Sequence, residues 1–401
     1  MGDSHLLSTG YANNGRYLFE HLASKPTKWD VKYQAWHYNG QPIHNATFAD
    51  GEQLNYTLYP GGQHPWGADM LQKYIKQLRP DIWWCTADSF MLNQTQPYGK
   101  IDAWISRVNF NPAKTVFWFP SDGEPFPKKC DAVLRKMDYP IAYSKFAQAQ
   151  VKKQYDIDTR YIPLMTDTNK FFKLKNKEFL KQQWSKRILD SNGKPVNLTD
   201  KKIILCVARN QGRKMLDRMI KMMIQYKDKN TILLFKSHPQ DPASAGVDLV
   251  NLAKHYGVAD RVYWVYSEWF SGFSITEMRE IYNLADIFAL GTSGEGWGIP
   301  FCEAMSSELP ILATDFTTPR EIVDDDERQL IKLDTTLTGT FDVERGLCDI
   351  KDFAKKVEFL MSDEQLRHDM GRTNRQKVIK EYSTTVVNKQ WEDLFEEILY
   401  D

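Results

Sequence analysis

The chain has 401 residues, a length that favours two domains over one, and its 42% hydrophobic content is enough for two cores. Its 52 basic and 52 acidic residues give a formal net charge of zero. No basic excess or stripe of the kind carried by duplex binders stands out, so no nucleic-acid partner is expected, although a local basic pocket for phosphates is compatible with this balance.

In chain order, the polar opening Met1-Gly2-Asp3-Ser4-His5 carries no apolar leader, and no later run reaches the length of a membrane span. A cytoplasmic enzyme without a transmembrane segment is expected, with peripheral membrane contact still open. The Asn-x-Thr sequons at Asn45, Asn55, Asn93 and Asn197 then read as chance matches. A loop-like stretch, Ser8-Thr9-Gly10-Tyr11-Ala12-Asn13-Asn14-Gly15, arrives almost at once, so the first strand is either very short or absent. A helix is predicted at 16–22. Strands are predicted at 31–36, 81–85, 115–119 and 140–143, with helices at 68–78 and 145–155. The Lys-rich, then turn-rich stretch around Ser191-Asn192-Gly193-Lys194-Pro195 marks an interdomain connection at 171–200. Beyond it, strands at 202–207, 231–235, 261–265, 286–290 and 310–313 alternate with helices at 215–226, 247–256, 276–283 and 300–306. An amphipathic helix closes the chain at 384–399. Such alternation means α/β domains with parallel sheets covered on both faces. The expected division is 1–170, then 201–380, then a terminal segment at 381–401. The five cysteines, Cys85, Cys130, Cys206, Cys302 and Cys348, are odd in number and include no C-x-x-C, which predicts buried free thiols and no zinc site.

The most informative segment is Gly291-Thr292-Ser293-Gly294-Glu295-Gly296-Trp297-Gly298-Ile299-Pro300-Phe301-Cys302-Glu303, between a predicted strand and a predicted helix. Its glycines let backbone approach a ligand, and a helix N-terminus there suits a diphosphate. Glu295 precedes the helix and Glu303 lies about one turn inside it, where carboxylates suit sugar or ribose hydroxyls. In Val207-Ala208-Arg209-Asn210-Gln211-Gly212-Arg213-Lys214, the cations Arg209 and Lys214 follow a strand, at the edge where ligands of open α/β sheets bind. They would neutralise a departing nucleoside diphosphate; an exposed basic turn is the plainer alternative. Asp122, in Pro120-Ser121-Asp122-Gly123, could orient an acceptor hydroxyl or accept its proton, or simply cap a turn. Gly10 and Tyr11 could face donor phosphates, and Trp66 and Trp297 could stack on a sugar.

These residues resemble glycosyltransferase family 4. Glu295 and Glu303, with Gly296-Trp297-Gly298-Ile299-Pro300 between them, look like its E-x7-E signature. Arg209 and Lys214 look like its diphosphate-binding pair, Ser8-Thr9-Gly10-Tyr11 like its first loop, and Ile281-Tyr282-Asn283-Leu284-Ala285-Asp286 like the segment ahead of the signature. The resemblance spans nearly the whole chain and is nearest the branch found in archaea and large viruses. It implies a GT-B fold, two Rossmann-like domains facing across a cleft with the C-terminal helix returning to the first. It further implies a retaining hexosyltransferase that needs no metal or other cofactor and takes a UDP-sugar or GDP-sugar donor and a glycan or glycoconjugate acceptor. Glu295 would contact the transferred sugar, Glu303 the ribose, and Val265–Tyr266 the base, with Ser293, Gly296, Trp297, Gly298 and Ile299 around the donor. Two departures stand out. Asp122 occupies a loop where many members carry His, and Leu164-Met165-Thr166-Asp167 stands where the linker often reads HGVD. A non-catalytic nucleotide-sugar-binding subunit, or an epimerase or phosphorylase on the same scaffold, remains an alternative.

Overall fold

The computed structural model describes residues 1–7, 9–47, 52–93, 104–128, 130–190, 194–241, 246–265 and 272–400. It divides into two units. The first holds Met1–Met165, Phe341–Val343 and Thr384–Asp401; the second holds Thr166–Thr340 and Glu344–Ser383.

The first unit carries seven parallel strands: β1 (Gly2–Asp3), β2 (Lys32–Trp36), β3 (Thr57–Pro60), β4 (Ile82–Thr86), β5 (Lys114–Phe119), β6 (Tyr139–Ala142) and β7 (Arg160–Tyr161). The first strand is therefore present and two residues long. It pairs with β2, while Thr86 N–H donates to Met1 O at 3.3 Å and the Met1 amino group donates to Trp84 O at 2.7 Å. These bonds set the start of the chain beside β4, so the sheet of order 3-2-1 abuts the sheet of order 4-5-6-7. Aromatic side chains dominate the filling. Trp83, Phe117 and Phe119 pack into one core, and Trp118 stacks edge-on against Trp391 at 5.0 Å. Trp391 lies on the terminal helix Thr384–Tyr400, whose buried Glu392 accepts from Lys25 at 2.6 Å, Lys28 at 3.0 Å and His21 at 3.1 Å.

The second unit centres on β8 (Lys202–Val207), an apolar strand buried at five of six positions, as a strand covered on both faces must be. It is joined by β9 (Thr231–Lys236), β10 (Val262–Val265), β11 (Ile287–Leu290), β12 (Ile311–Thr314) and β13 (Leu330–Ile331) in the parallel order 10-9-8-11-12-13. The order reverses between β8 and β11, the switch point of a doubly wound sheet. An antiparallel hairpin, β14 (Leu333–Thr338) and β15 (Glu344–Cys348), follows.

The expected connection at 171–200 is corrected. Its described residues belong to the second unit, and the chain passes between units at 165/166, 340/341, 343/344 and 383/384. The reason is specific hydrogen bonding. Asn283 Oδ1 accepts from Leu174 N–H at 2.7 Å, Lys177 Nζ donates to Asp286 Oδ1 at 2.7 Å, and Trp184 Nε1 donates to Glu280 at 3.0 Å. The helix Lys177–Ser185 is thereby docked against the helix Ile275–Leu284. The start of the chain is corrected as well. The first helix runs Gly10–Ala23, capped by Thr9, so Gly10 and Tyr11 form its first turn and are not loop residues.

Candidate active site

In the second unit, the C-terminal ends of β10, β9, β8 and β11 lie in a row and deliver Val265, Lys236, the stretch 208–215 and the stretch 291–298 to one edge. The last two flank the switch point. Three hydrogen bonds fasten them to each other: the Arg213 carbonyl accepts from Ser293 N–H at 2.9 Å, Ser293 Oγ at 2.9 Å and Thr292 Oγ1 at 3.3 Å. Ser293 is fully buried in this fastening.

Across the join sits a buried ion cluster. Lys214 Nζ donates to Glu295 Oε1 at 2.6 Å and Oε2 at 2.8 Å, and Arg213 Nη1 donates to Glu295 Oε2 at 3.2 Å and Gly294 O at 2.6 Å. The Lys214 and Glu295 side chains are 12% and 5% exposed. Burial pushes the Glu295 carboxyl upward, but the Lys214 and Arg213 charges and the hydrogen bonds from Lys214 and Thr292 outweigh it and hold it at about 2. The backbone is held too. Glu295 N–H donates to Thr317 Oγ1 at 3.0 Å, and Thr318 Oγ1 donates to Glu295 O at 2.9 Å.

Directly after this cluster, Gly298 takes φ +101° as N-cap of the helix Ile299–Ser306, with Pro300 in the first turn. Only glycine adopts that conformation readily, and a Cβ there would meet Phe301 Cδ2 at 2.6 Å. Gly296 and Ile299 stay half-buried at the helix entrance. Trp297 does not. It is 2% exposed, with its ring edge-on to Tyr382 at 4.9 Å, so its expected role in stacking on a sugar is corrected to core packing. Glu303, one turn into the helix, accepts from Tyr282 Oη at 2.6 Å. Burial raises its carboxyl to about 7, against the Tyr282 hydrogen bond and the Lys236 charge. Tyr282 rides the last turn of a helix fixed at its start by a Ser274–Glu277 capping box.

Arg209, two residues past β8, is engaged by the buried Asp241: Nε donates to Oδ2 at 2.8 Å. Its side chain remains half exposed. Val265 is buried at the end of β10, in register with Lys236, while Tyr266 lies outside the described residues. Arg213, Asp241 and the Tyr282 hydroxyl were not anticipated as site groups. Arg213 was legible only as the neighbour of Lys214, and the Tyr282 motif only as a pattern.

The first unit has its own polar edge. Thr9 Oγ1 donates to Asp3 Oδ2 at 2.7 Å. Burial, then the charges of Asp88, Tyr143 and Asp122 and a hydrogen bond with Asp88, raise the Tyr11 hydroxyl well above its usual range. Gly10, Tyr11 and Asp122 are thus placed at one edge of the first sheet. Glu295, Lys214, Arg209, Glu303 and Val265 share the edge of the second. Trp66 is half-buried against the first core.

Comparison with known proteins matches residues 190–377 to the family described as glycosyl transferases group 1. The match covers just under half of the chain and falls within the second unit, apart from Phe341–Val343. A capsular polysaccharide biosynthesis glycosyltransferase, CapM of Staphylococcus aureus, is 30% identical over 122 residues, which are 30% of this chain and 27% of that protein. The match therefore spans well under two thirds of the relative's own length. In fold, sucrose-phosphate synthase of Thermosynechococcus elongatus superposes with a TM-score of 0.75 at 15% identity, over 100% of this chain and 98% of that one. HepE of Anabaena, in complex with UDP and glucose, superposes at 0.65 and 13% identity over 86% of both chains. The α/β fold is that of GT-B glycosyltransferases. Among the described residues no helix is long and apolar enough to cross a membrane.

Proposed function

We propose that this chain is a retaining glycosyltransferase that moves a hexose-type sugar from a UDP-sugar or GDP-sugar to an acceptor hydroxyl of a glycan, glycolipid or glycoprotein. The observation that carries this reading is the buried Lys214–Arg213–Glu295 cluster at the switch point, directly before the Gly298-capped helix. Cations beside a helix N-terminus suit a diphosphate. Lys214 and Arg209 supply counter-charge as the C1–O bond to the phosphate breaks and negative charge grows on the leaving oxygen. That oxygen takes the acceptor proton as the acceptor oxygen bonds C1 on the same face. No carboxylate nucleophile is needed, unlike in retaining glycosidases. Glu295 accepts hydrogen bonds from the transferred sugar, and Glu303, held by Tyr282, from the ribose. Val265 and Tyr266 flank the base. The amides around Gly296, Gly298 and Ile299 face the phosphates. Asp122 is the candidate for the acceptor hydroxyl, and Gly10 and Tyr11 are candidates for the donor phosphates. The resident of HepE, UDP with glucose, supports a nucleotide-sugar donor for this fold.

The test is turnover of a donor panel by the purified chain, with the product anomer assigned by proton NMR and EDTA present throughout. Expected are donor cleavage that accelerates with acceptor, retained configuration and insensitivity to EDTA. A chain that cleaves no UDP-, GDP- or ADP-sugar, or a Lys214→Ala variant as active as the wild type, refutes the reading.

A further inference from the structure

Both carboxylate oxygens of Glu295 are taken by Lys214, and one of them also by Arg213. Charge-assisted bonds from the same cations are what a phosphate oxygen would take there. We infer that Glu295 is an internal occupant of the diphosphate seat: it holds Lys214 and Arg213 before donor arrives, yields them to the phosphates, and reclaims them as nucleoside diphosphate leaves. The inference rests on the reading that Lys214 receives phosphate, and it assigns that site a preference for donor over product.

The argument is one of charge and reach. The Thr317 and Thr318 hydroxyls fix the Glu295 backbone, so exchange is a rotation of the carboxylate, with the strand–helix junction left in place. A phosphate on Lys214 brings a second anion against a carboxylate that is 5% exposed, where water screens little. An intact donor offsets this repulsion, because its sugar hydroxyls donate to the oxygens that Lys214 gives up. The product diphosphate has no such hydroxyl. The same carboxylate therefore favours binding of the sugar nucleotide and release of the nucleoside diphosphate, a differential affinity of the kind any such shift requires.

The experiment is isothermal titration of the full chain and of Glu295→Gln, which keeps the shape and removes the charge. The probes are UDP, GDP and ADP and a set of sugar nucleotides of each base. For the base that binds, the wild type is expected to hold its best sugar nucleotide at least about tenfold tighter than the diphosphate. Glu295→Gln is expected to bind the diphosphate about tenfold tighter than the wild type and to lose most of the preference. Diphosphate affinity that is unchanged or weaker in a folded Glu295→Gln overturns the inference while leaving the phosphate site standing. Should that variant fail to fold, the wild-type ratio decides, and a diphosphate bound as tightly as every sugar nucleotide of its base overturns it. If no diphosphate binds the wild type at millimolar concentration, the functional reading falls as well.

Discussion

Removing Lys214 isolates the charge that the second unit buries most deliberately. In Lys214→Met the stem is conserved and the ammonium is lost, so Glu295 keeps Arg213 at 3.2 Å and the Thr292 hydrogen bond. In the intact protein the Glu295 carboxyl is held at about 2 against an ordinary 4.5, a difference equivalent to roughly 3 kcal/mol of preference for the ionised form. Breaking one side of a buried pair costs about 3–5 kcal/mol, in the same range. The sign follows from the depressed value. The wild-type contribution is present in full above the unfolded value near 4.5 and is lost as pH falls toward 2. In the variant, burial dominates and the carboxyl titrates higher. The deficit is therefore largest at neutral pH and shrinks below about pH 5. Differential scanning calorimetry at pH 7 should show the transition of the second unit falling by about 6–12 °C. The gap to wild type should narrow at pH 4. The double variant Lys214→Met/Glu295→Gln should recover much of the loss, because the uncompensated charge is then gone. A single variant within about 1 °C of wild type at pH 7, or a deficit that grows on acidification, refutes the electrostatic account.

Four further outcomes are expected. On the proposed function Glu303 accepts a ribose hydroxyl, and more strongly when ionised, so donor KM should rise as pH falls through about 7, and Tyr282→Phe, which removes a hydrogen bond that lowers this value, should move the midpoint upward in a pH–KM profile. Gly298→Ala forces a Cβ into φ +101° against Phe301 and should cost about 1–3 kcal/mol in urea melts, together with most of the transfer activity. Glu392→Ala leaves Lys25, Lys28 and His21 without their shared carboxylate on the first unit and should cost about 1 kcal/mol, seen as a lower melting temperature without change in nucleotide affinity. All five thiols are buried and free, so a disulfide reagent should titrate none in the native protein within minutes and five in denaturant.

Strands and helices with a continuous apolar core, such as 202–207 or 68–78, were legible because burial on both faces or a 3.6-residue stripe leaves a period in the sequence. What escaped was decided by partners distant in sequence. The stretch 171–200 reads as a linker, because its lysines and turn residues give no apolar period, yet Asn283, Glu280 and Asp286 supply the bonds that dock it. Trp297 sits in a glycine-rich segment that looks open, and only the fold reveals that Tyr382 closes over it. Arg213 and Lys214 are adjacent in sequence, and no local rule reveals that both pair with Glu295, 82 and 81 positions away. Every residue along the first strand of the hairpin β14–β15 is exposed, so it lacks the alternation that would have marked it.

Glu295 and Glu303 are the same residue type eight positions apart, and the fold sends them to opposite ends of the carboxylate range. The difference follows from strand order. Because β8 and β11 are neighbours, the stretch after β8 delivers two cations to the stretch after β11, and Glu295 is locked ionised. One turn further into the helix Glu303 is beyond that pair. It meets a neutral phenol and the charge of Lys236 from β9, and burial dominates. Two identical carboxyls whose environments drive them apart are suited to different tasks. On the proposed function, one is an acceptor that holds no proton to release to the departing phosphate, and the other a hydroxyl ligand whose grip depends on pH. On this argument acidification from pH 8 to pH 6 should weaken donor binding through Glu303 while leaving the transfer step itself unaltered. A single-turnover rate that falls in parallel with donor affinity would place the titrating group elsewhere.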